Sequence, residues 1–411
     1  ELGHRAEPWG PEAHRRELQA TIEGATLAAL RACSSAMGTE TDLLGQPQLP
    51  GAGLPPERPP DAAAAPTSSA ARLTSKLLPL LSKPGAPSSH YKVVRLQKLF
   101  AMLDSIHGLL LSGRHATPRE LFYSHATLFS RQELSNDMLK VLCRTLQVPR
   151  HYLRVVGTAK GLVRGHLRIL EPSSTGGAMG CWVDGLDPLE PRGHSISPVC
   201  AHIARVESQA RTVLVVEKET VFHRLLSEGF LERHRPCIIV TARGFPDLPT
   251  RYLLRRICED CAAVAPQPPR LLALADFDAS GLAIAFTYAF GAEEAWMQDD
   301  LALPQLLPLV CPSGADGAMA NFGLGAGEAP QLTPRDHILA SGLQRRLARL
   351  RGLGSPALEV APFGVWEAAL KLLLQGGVKY ELDALDRLSE FVDLGMSAGA
   401  DGITTPTVHL P

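Results

Sequence analysis

The sequence predicts two folded units: a winged-helix (CAP-like) module, then an α/β unit with a parallel sheet flanked by helices. Three observations carry this. Three helical patterns between about 90 and 147 run into a glycine-rich, basic, alternating stretch, as a helix-turn-helix with a wing would. From about 205, buried-type strands alternate with amphipathic helices, the pattern of a parallel sheet. A Pro/Ala-rich stretch, "GQPQLPGAGLPPERPPDAAAAPTSSA", separates a short N-terminal helix from the rest.

The totals agree with folded domains joined by loop-rich connections. The chain has 411 residues, 45% hydrophobic and only 5% aromatic, with 36 Gly and 33 Pro. Net charge is −1, so no global attraction to a polyanion follows. The distribution is uneven, however: Arg114 to Arg168 holds ten Lys/Arg against three Asp/Glu. Such a segment marks a local polyanion site or a solvated face. Eight cysteines, taken as scattered without Cys-x-x-Cys pairs or histidine partners at zinc spacing, read as reduced thiols with no disulfide framework. No apolar run reaches membrane-spanning length and no signal peptide is read, so a non-membrane, nuclear or cytosolic protein is expected.

The elements follow in order. Residues 1–34 contain a helical pattern with Leu18, Ile22, Ala25 and Ala29 on one stripe. It is either a frayed tail or a helix that docks on a partner. Residues 35–72 cannot offset the entropy of ordering and are expected to be a linker. The first unit, 73–172, opens with "KVVRLQKLFAMLDSIHGLLLSG", a helix stopped at Gly113. Thr117-Pro118-Arg119-Glu120 is a capping box with proline at the first helical position. Ser130 to Glu133 is a second box. "YLRVVGTAKGLVRGHLRIL" would be the wing, with Lys160, Arg164 and Arg168 reaching phosphates. A connector, 173–204, leads to the second unit, 205–400, and a tail, 401–411.

In open α/β sheets the functional crevice lies at the carboxyl ends of the strands. Glu217 ends "VLVVE", and Asp276 and Asp278 end "LLALADFD". An all-oxygen set suits a hard cation such as Mg²⁺; the alternative is ordinary polar strand ends. Beside them "TARGFPDLPTR" supplies Arg243 and Arg251, either cationic groups near the site or partners of local acids.

In "ATPRELFYSHATLF", Arg119 and Tyr123 are one turn apart and face the same way. A phenol is a poor nucleophile at neutral pH. A guanidinium beside it can stabilise negative charge on the oxygen or on an attacked phosphate. The bland reading is that Tyr123 is a core residue of an amphipathic helix and Arg119 a surface charge.

"TPRELFYS", "VGTAKGLVRGHLRI", "VVEKETVFHRLL", "TARGFPDLPTR" and "DFDASG", in this order and spacing, resemble the A subunit of topoisomerase VI. More closely, they resemble its eukaryotic relatives, the meiotic DNA double-strand-break transesterases. The resemblance covers roughly residues 75–300 and extends loosely into the C-terminal helices. It implies a winged-helix domain and a Toprim domain. It also implies Tyr123 as nucleophile, Arg119 as its helper, and Glu217, Asp276 and Asp278 as Mg²⁺ carboxylates. Members often carry two adjacent tyrosines; here Phe122 precedes Tyr123. The family's "TGKG" is "TARG" here, and an arginine does not replace a lysine at a tight phosphate site.

The resemblance further implies duplex DNA as substrate, a second copy of the chain for the second strand, and a nuclear, meiotic role. It implies a B-type ATPase/transducer subunit that docks through Leu18 and Ile22. No GxxxxGK[ST] loop is present, so ATP use would come from that partner. The rival expectations are the A subunit of a religating topoisomerase VI, a DNA-binding scaffold without chemistry, and a water-using Toprim nuclease.

Overall fold

The structure is a computed structural model and describes residues 16, 19–24, 89–146, 148–158, 160–172, 180–262, 268–291, 301–309, 322, 330–354 and 358–397. Leu18, the expected linker 35–72, the tail 401–411 and nearly all of the loop 311–330 lie outside these residues. The chain divides between Gly157 and Thr158 into two compact units.

The first unit is helical. Helix α1 (Ser89–Ser112) buries Leu99, Met102, Leu103, Ile106 and Leu110, a stripe at helical spacing. It stops at Gly113, whose φ of 71° is the left-handed value expected just past a helix end. Helix α2 (Pro118–Ser124) carries the predicted capping box. Thr117 Oγ1 accepts from the Glu120 N–H at 3.1 Å, and Glu120 Oε2 accepts from the Thr117 N–H at 2.6 Å. Helix α3 (Gln132–Leu146) buries Met138, Leu139, Leu142 and Leu146 and packs on α1 and α2. Residues 19–24 are helical and belong to the same unit. Ile22 is only 2% exposed, and Glu23 Oε1 lies 2.7 Å from His107 Nε2 on α1. Ile22 of this segment is therefore buried within its own chain.

The second unit holds two sheets. Strands β1 (Leu162–Gly165), β4 (His194–Ser195), β6 (Thr212–Val216), β7 (Cys237–Thr241), β8 (Arg270–Leu274) and β9 (Leu307–Leu309) form one, in the order β4-β1-β7-β6-β8-β9. Within it β7, β6, β8 and β9 run parallel, and β1 is antiparallel to both of its neighbours. Strands β2 (Leu167–Glu171), β3 (Cys181–Asp184) and β5 (Arg205–Ser208) make a three-stranded antiparallel sheet. The predicted β–α alternation is present as helices α4 (Glu219–Ser227), α5 (Phe230–Arg233), α6 (Leu248–Ala262) and α7 (Ala279–Phe290). The C-terminal helices are α8 (Pro334–Gly352), α9 (Phe363–Gly376) and α10 (Leu388–Ser397). Phe286 and Phe290 of α7 meet Trp366 of α9 edge-on, closing the core on that side.

The predicted wing is corrected. Its two strands do not pair with each other: β1 joins β7 in the large sheet, and β2 joins β3 and β5 in the small one. The physical reason is packing. A Cβ on Gly165 would sit 2.4 Å from the Cys237 carbonyl, so this glycine lets β1 approach β7 closely rather than turning a hairpin. The two compact units divide between Gly157 and Thr158, before these strands.

Cys258 and Cys261 form a Cys-x-x-Cys pair on α6, a spacing that a count of scattered cysteines overlooks. Both are free and buried, and burial pushes the Cys258 thiol up to about 12, so neither is a ready thiolate.

Candidate active site

The tyrosine site is built on α2, whose seven residues are too few to hold themselves together. The capping box and the burial of Leu121 fix it. Position 123 then falls on the solvent side, 59% exposed. Arg119 Nη2 donates to the Tyr123 hydroxyl at 3.3 Å, and its guanidinium carbon lies 5.6 Å from the ring centroid. A cavity of about 820 Å³ opens beside them, lined by Ser105, Leu109, Arg114, His115, Glu120 and Tyr123 among others. An exposed phenol beside a cation and a cavity is accessible to a large polyanionic substrate.

The carboxylate site lies at the carboxyl ends of β6 and β8 in the second unit. The two strands are parallel neighbours, which brings Glu217 and Asp276 together although they lie 59 residues apart. The Asp276 N–H donates to Glu217 Oε2 at 3.0 Å. Asp278 is the N-cap of α7, its Oδ1 accepting from the Gly281 N–H at 2.6 Å. Burial pushes the Glu217 carboxyl up to about 7 against the Asp276 N–H, and the charges of Asp276 and Asp278 push the same way. Burial also raises Asp276, more than its bonds to the Leu382 N–H and Lys218 lower it.

Sequence reasoning missed three residues here. Lys218 Nζ lies 2.7 Å from Asp276 Oδ2, 3.1 Å from Glu381 and 2.9 Å from Asp383. The Tyr380–Asp383 segment arrives from far along the chain. It is pinned by the Phe277–Tyr380 bridge and ring stack and by the Leu382 N–H on Asp276 Oδ1 at 2.9 Å. Lys218 was visible inside "VVEKE"; nothing local marked Glu381 or Asp383.

Among the described residues, no group of three or more His, Cys, Asp or Glu side chains is disposed to hold a metal ion. The donor chemistry nevertheless fits a hard cation. The three carboxylates are all-oxygen donors at adjacent strand ends, the charges of Asp276 and Asp278 add to the burial that raises Glu217, and Lys218 pairs with Asp276.

The basic residues expected at DNA have different fates. Lys160 donates to the carbonyl of exposed Phe245 at 2.6 Å, and Arg243 pairs with Glu219 at 2.8 Å, both at the surface. Arg243 has φ 54°, and the following Gly244 has φ 96°. The other three have partners within the second unit, Arg168 while remaining exposed. Arg164 donates to the carbonyls of Asp187 and Leu186, at 2.7 and 3.4 Å. Arg168 stacks on Trp182 at 4.9 Å, and Arg251 is 2% exposed. Of the two docking residues, Ile22 is buried in the first unit.

Residues 94–155 match the family model for type IIB DNA topoisomerase. Residues 212–309 match that for the Toprim domain shared by the topoisomerase 6 A subunit and Spo11. The chain is 32% identical over 298 residues to the meiotic recombination protein SPO11-1 of Oryza sativa subsp. indica, covering 72% of this chain and 70% of that one. The chain belongs to the topoisomerase VI A subunit/Spo11 family. A further relative in this family is the meiotic recombination protein SPO11 of Homo sapiens, 27% identical over 310 residues, 75% of this chain and 70% of that one. The A3 subunit of DNA topoisomerase 6 from Oryza sativa subsp. indica is 36% identical over 192 residues, 47% of this chain and 40% of that one. As a family member the protein is a type IIB topoisomerase-like, DNA-cleaving transesterase. No helix among the described residues is long and apolar enough to cross a membrane.

Proposed function

We propose that this chain cleaves duplex DNA by tyrosyl transesterification and makes the double-strand breaks that start meiotic recombination. The observation that carries the reading is Arg119 donating to the exposed Tyr123 hydroxyl on a capped helix. Tyr123 Oη attacks a backbone phosphorus, a P–Oη bond forms, and the P–O bond to the departing sugar oxygen breaks. The phenolic proton is lost and the departing oxygen gains one, so the product is a tyrosyl phosphodiester and a free hydroxyl end. Arg119 stabilises negative charge on the attacking oxygen and on the phosphate.

The first unit serves as the helical part of a winged-helix DNA-binding module, with Tyr123 on its second helix. Glu217, Asp276 and Asp278 would hold Mg²⁺, which when bound neutralises phosphate charge. Lys218 holds Asp276, and the Phe277–Tyr380 bridge fixes the backbone between Asp276 and Asp278. Lys160 and Arg243, both at the surface beside Phe245, are the sequence-expected cations that support phosphate contact. One tyrosine cuts one strand, so a double-strand break takes two copies. The chain works in the nucleus, with a B-type ATPase/transducer subunit supplying any ATP use. The meiotic role rests on the names of the relatives that cover most of the chain. The topoisomerase 6 relative covers less than half of it and favours, as the second reading, the A subunit of a religating enzyme.

The test is a denaturing gel of the full chain, with and without a B-type partner, on labelled duplex DNA with Mg²⁺ or a chelator. A protein-linked DNA band is expected, lost in Tyr123→Phe and without Mg²⁺. Free ends without a linked band, unchanged in Tyr123→Phe, would point to a water-using nuclease. Supercoil relaxation with the partner would favour the religating enzyme.

A further inference from the structure

Of the five basic residues that the sequence placed at DNA, Arg251 is buried and Arg164 is held by the Asp187 and Leu186 carbonyls, while Arg168 lies exposed against Trp182. Further exposed arginines lie elsewhere. Helix α8 is anchored by its own capping box, Thr333 with Asp336, and by the 2.9 Å Asp336–Lys379 ion pair. Its buried face is Asp336, Ala340, Leu343 and Leu347. The opposite stripe, at helical spacing, is Ile338, Gly342, Arg345 and Arg349.

That stripe is not explained by packing. Ile338 is 72% exposed, and a Cβ on Gly342 would meet nothing within 4 Å. Arg345 and Arg349 are exposed and make no ion pair among the described residues. Their neighbours show what a structural arginine does on this helix. Arg346 donates to the carbonyls of Phe290 and Gly291 and covers the Phe286 ring, and Arg351 pairs with Glu367 at 2.8 Å. Two guanidinium groups one turn apart, beside an open glycine, form a cationic ledge that a phosphate backbone can approach closely.

We propose that the Arg345–Arg349 face of α8 is a duplex-DNA contact surface that grips backbone phosphates. The inference rests on the reading that the chain acts on DNA, and it adds a surface on the second unit that no motif announced. Guanidinium–phosphate contacts of this kind hold the duplex without reading its sequence.

The experiment measures binding of the full chain to a labelled duplex by fluorescence anisotropy across a salt series. Each phosphate contact contributes about 0.9 to the slope of log K against log salt. The double variant Arg345→Ala/Arg349→Ala is expected to lower that slope by about 2 and the affinity roughly tenfold or more. Arg345→Lys/Arg349→Lys is expected to keep the slope. Arg192→Ala/Lys371→Ala, which removes the same charge from other exposed positions, is expected to keep it too. Wild-type binding with an unchanged slope in the alanine double overturns the surface alone, as does an equal drop in the Arg192/Lys371 control. A wild-type chain that binds no duplex at low salt overturns the functional reading and this surface with it.

Discussion

Lys218 Nζ sits 2.7 Å from Asp276 Oδ2, and the same ammonium holds Glu381 and Asp383. One cation thus balances a carboxylate at the end of β8 and two from the C-terminal segment. Lys218→Ala leaves buried Asp276 short of a partner and is expected to cost about 1–3 kcal/mol. Urea unfolding would show it, and Asp276→Asn in the same background should recover part of the loss. Full additivity of the two substitutions would mean that the pair is not coupled.

Gly281 explains the last letter of "DFDASG". A Cβ there would lie 2.2 Å from the Asp276 carbonyl oxygen and 3.0 Å from its nitrogen, both backbone atoms that cannot swing away. Gly281→Ala is expected to destabilise by about 3 kcal/mol or more and to displace Asp276. A thermal midpoint equal to wild type would refute the close approach.

The tyrosine helix depends on its cap. Thr117→Ala removes the bond to the Glu120 N–H and is expected to cost about 1 kcal/mol. Because α2 has seven residues, the fraying reaches Arg119 and Tyr123, so the yield of protein-linked DNA should fall with it. Tyr123→Phe, by contrast, alters an exposed hydroxyl and should change stability by less than about 0.5 kcal/mol. A large stability loss in Tyr123→Phe would reveal a structural role for the hydroxyl.

His194 gives the fold a pH dependence. Its Nε2 lies 3.0 Å from Glu171 of the small sheet and its Nδ1 3.0 Å from Glu190, so it ties β4 to β2. The hydrogen bond to Glu171 raises its pKa most, against burial, with further help from the charges of Glu171 and Glu190. The folded state therefore holds this proton to higher pH than the unfolded chain does. The stabilisation is complete below the unfolded value near 6.5 and is lost as pH rises through the folded value. Stability measured from pH 6 upward should fall in wild type, and His194→Gln should flatten that fall. Parallel curves would assign the dependence to other groups.

Local patterns carried a great deal. The capping box at Thr117, the stop at Gly113 and the alternation from Thr212 to Phe290 all form as their residues dictate, because each is decided within a few residues of chain. The stretch 160–171 went astray for the opposite reason. Its alternating, glycine-rich pattern fits any strand, and only the burial available beside β7 and β5 decides which partner it takes. Arg164 there donates to the Asp187 carbonyl, and exposed Arg168 stacks on Trp182.

The sequence by itself determined the chemistry-bearing types and their spacing: Arg119 one turn before Tyr123, Glu217 closing one strand, Asp276 and Asp278 closing another. Helix and strand periods fix which way such side chains face. Only the tertiary structure decided that β6 and β8 are neighbours, which joins Glu217 to Asp276, and that Tyr380–Asp383 returns to meet Lys218. It also decided which arginines are consumed by the fold and which, like Arg345 and Arg349, remain at the surface. Such contacts join residues far apart in the chain, and the burial that selects them is a property of the packed whole.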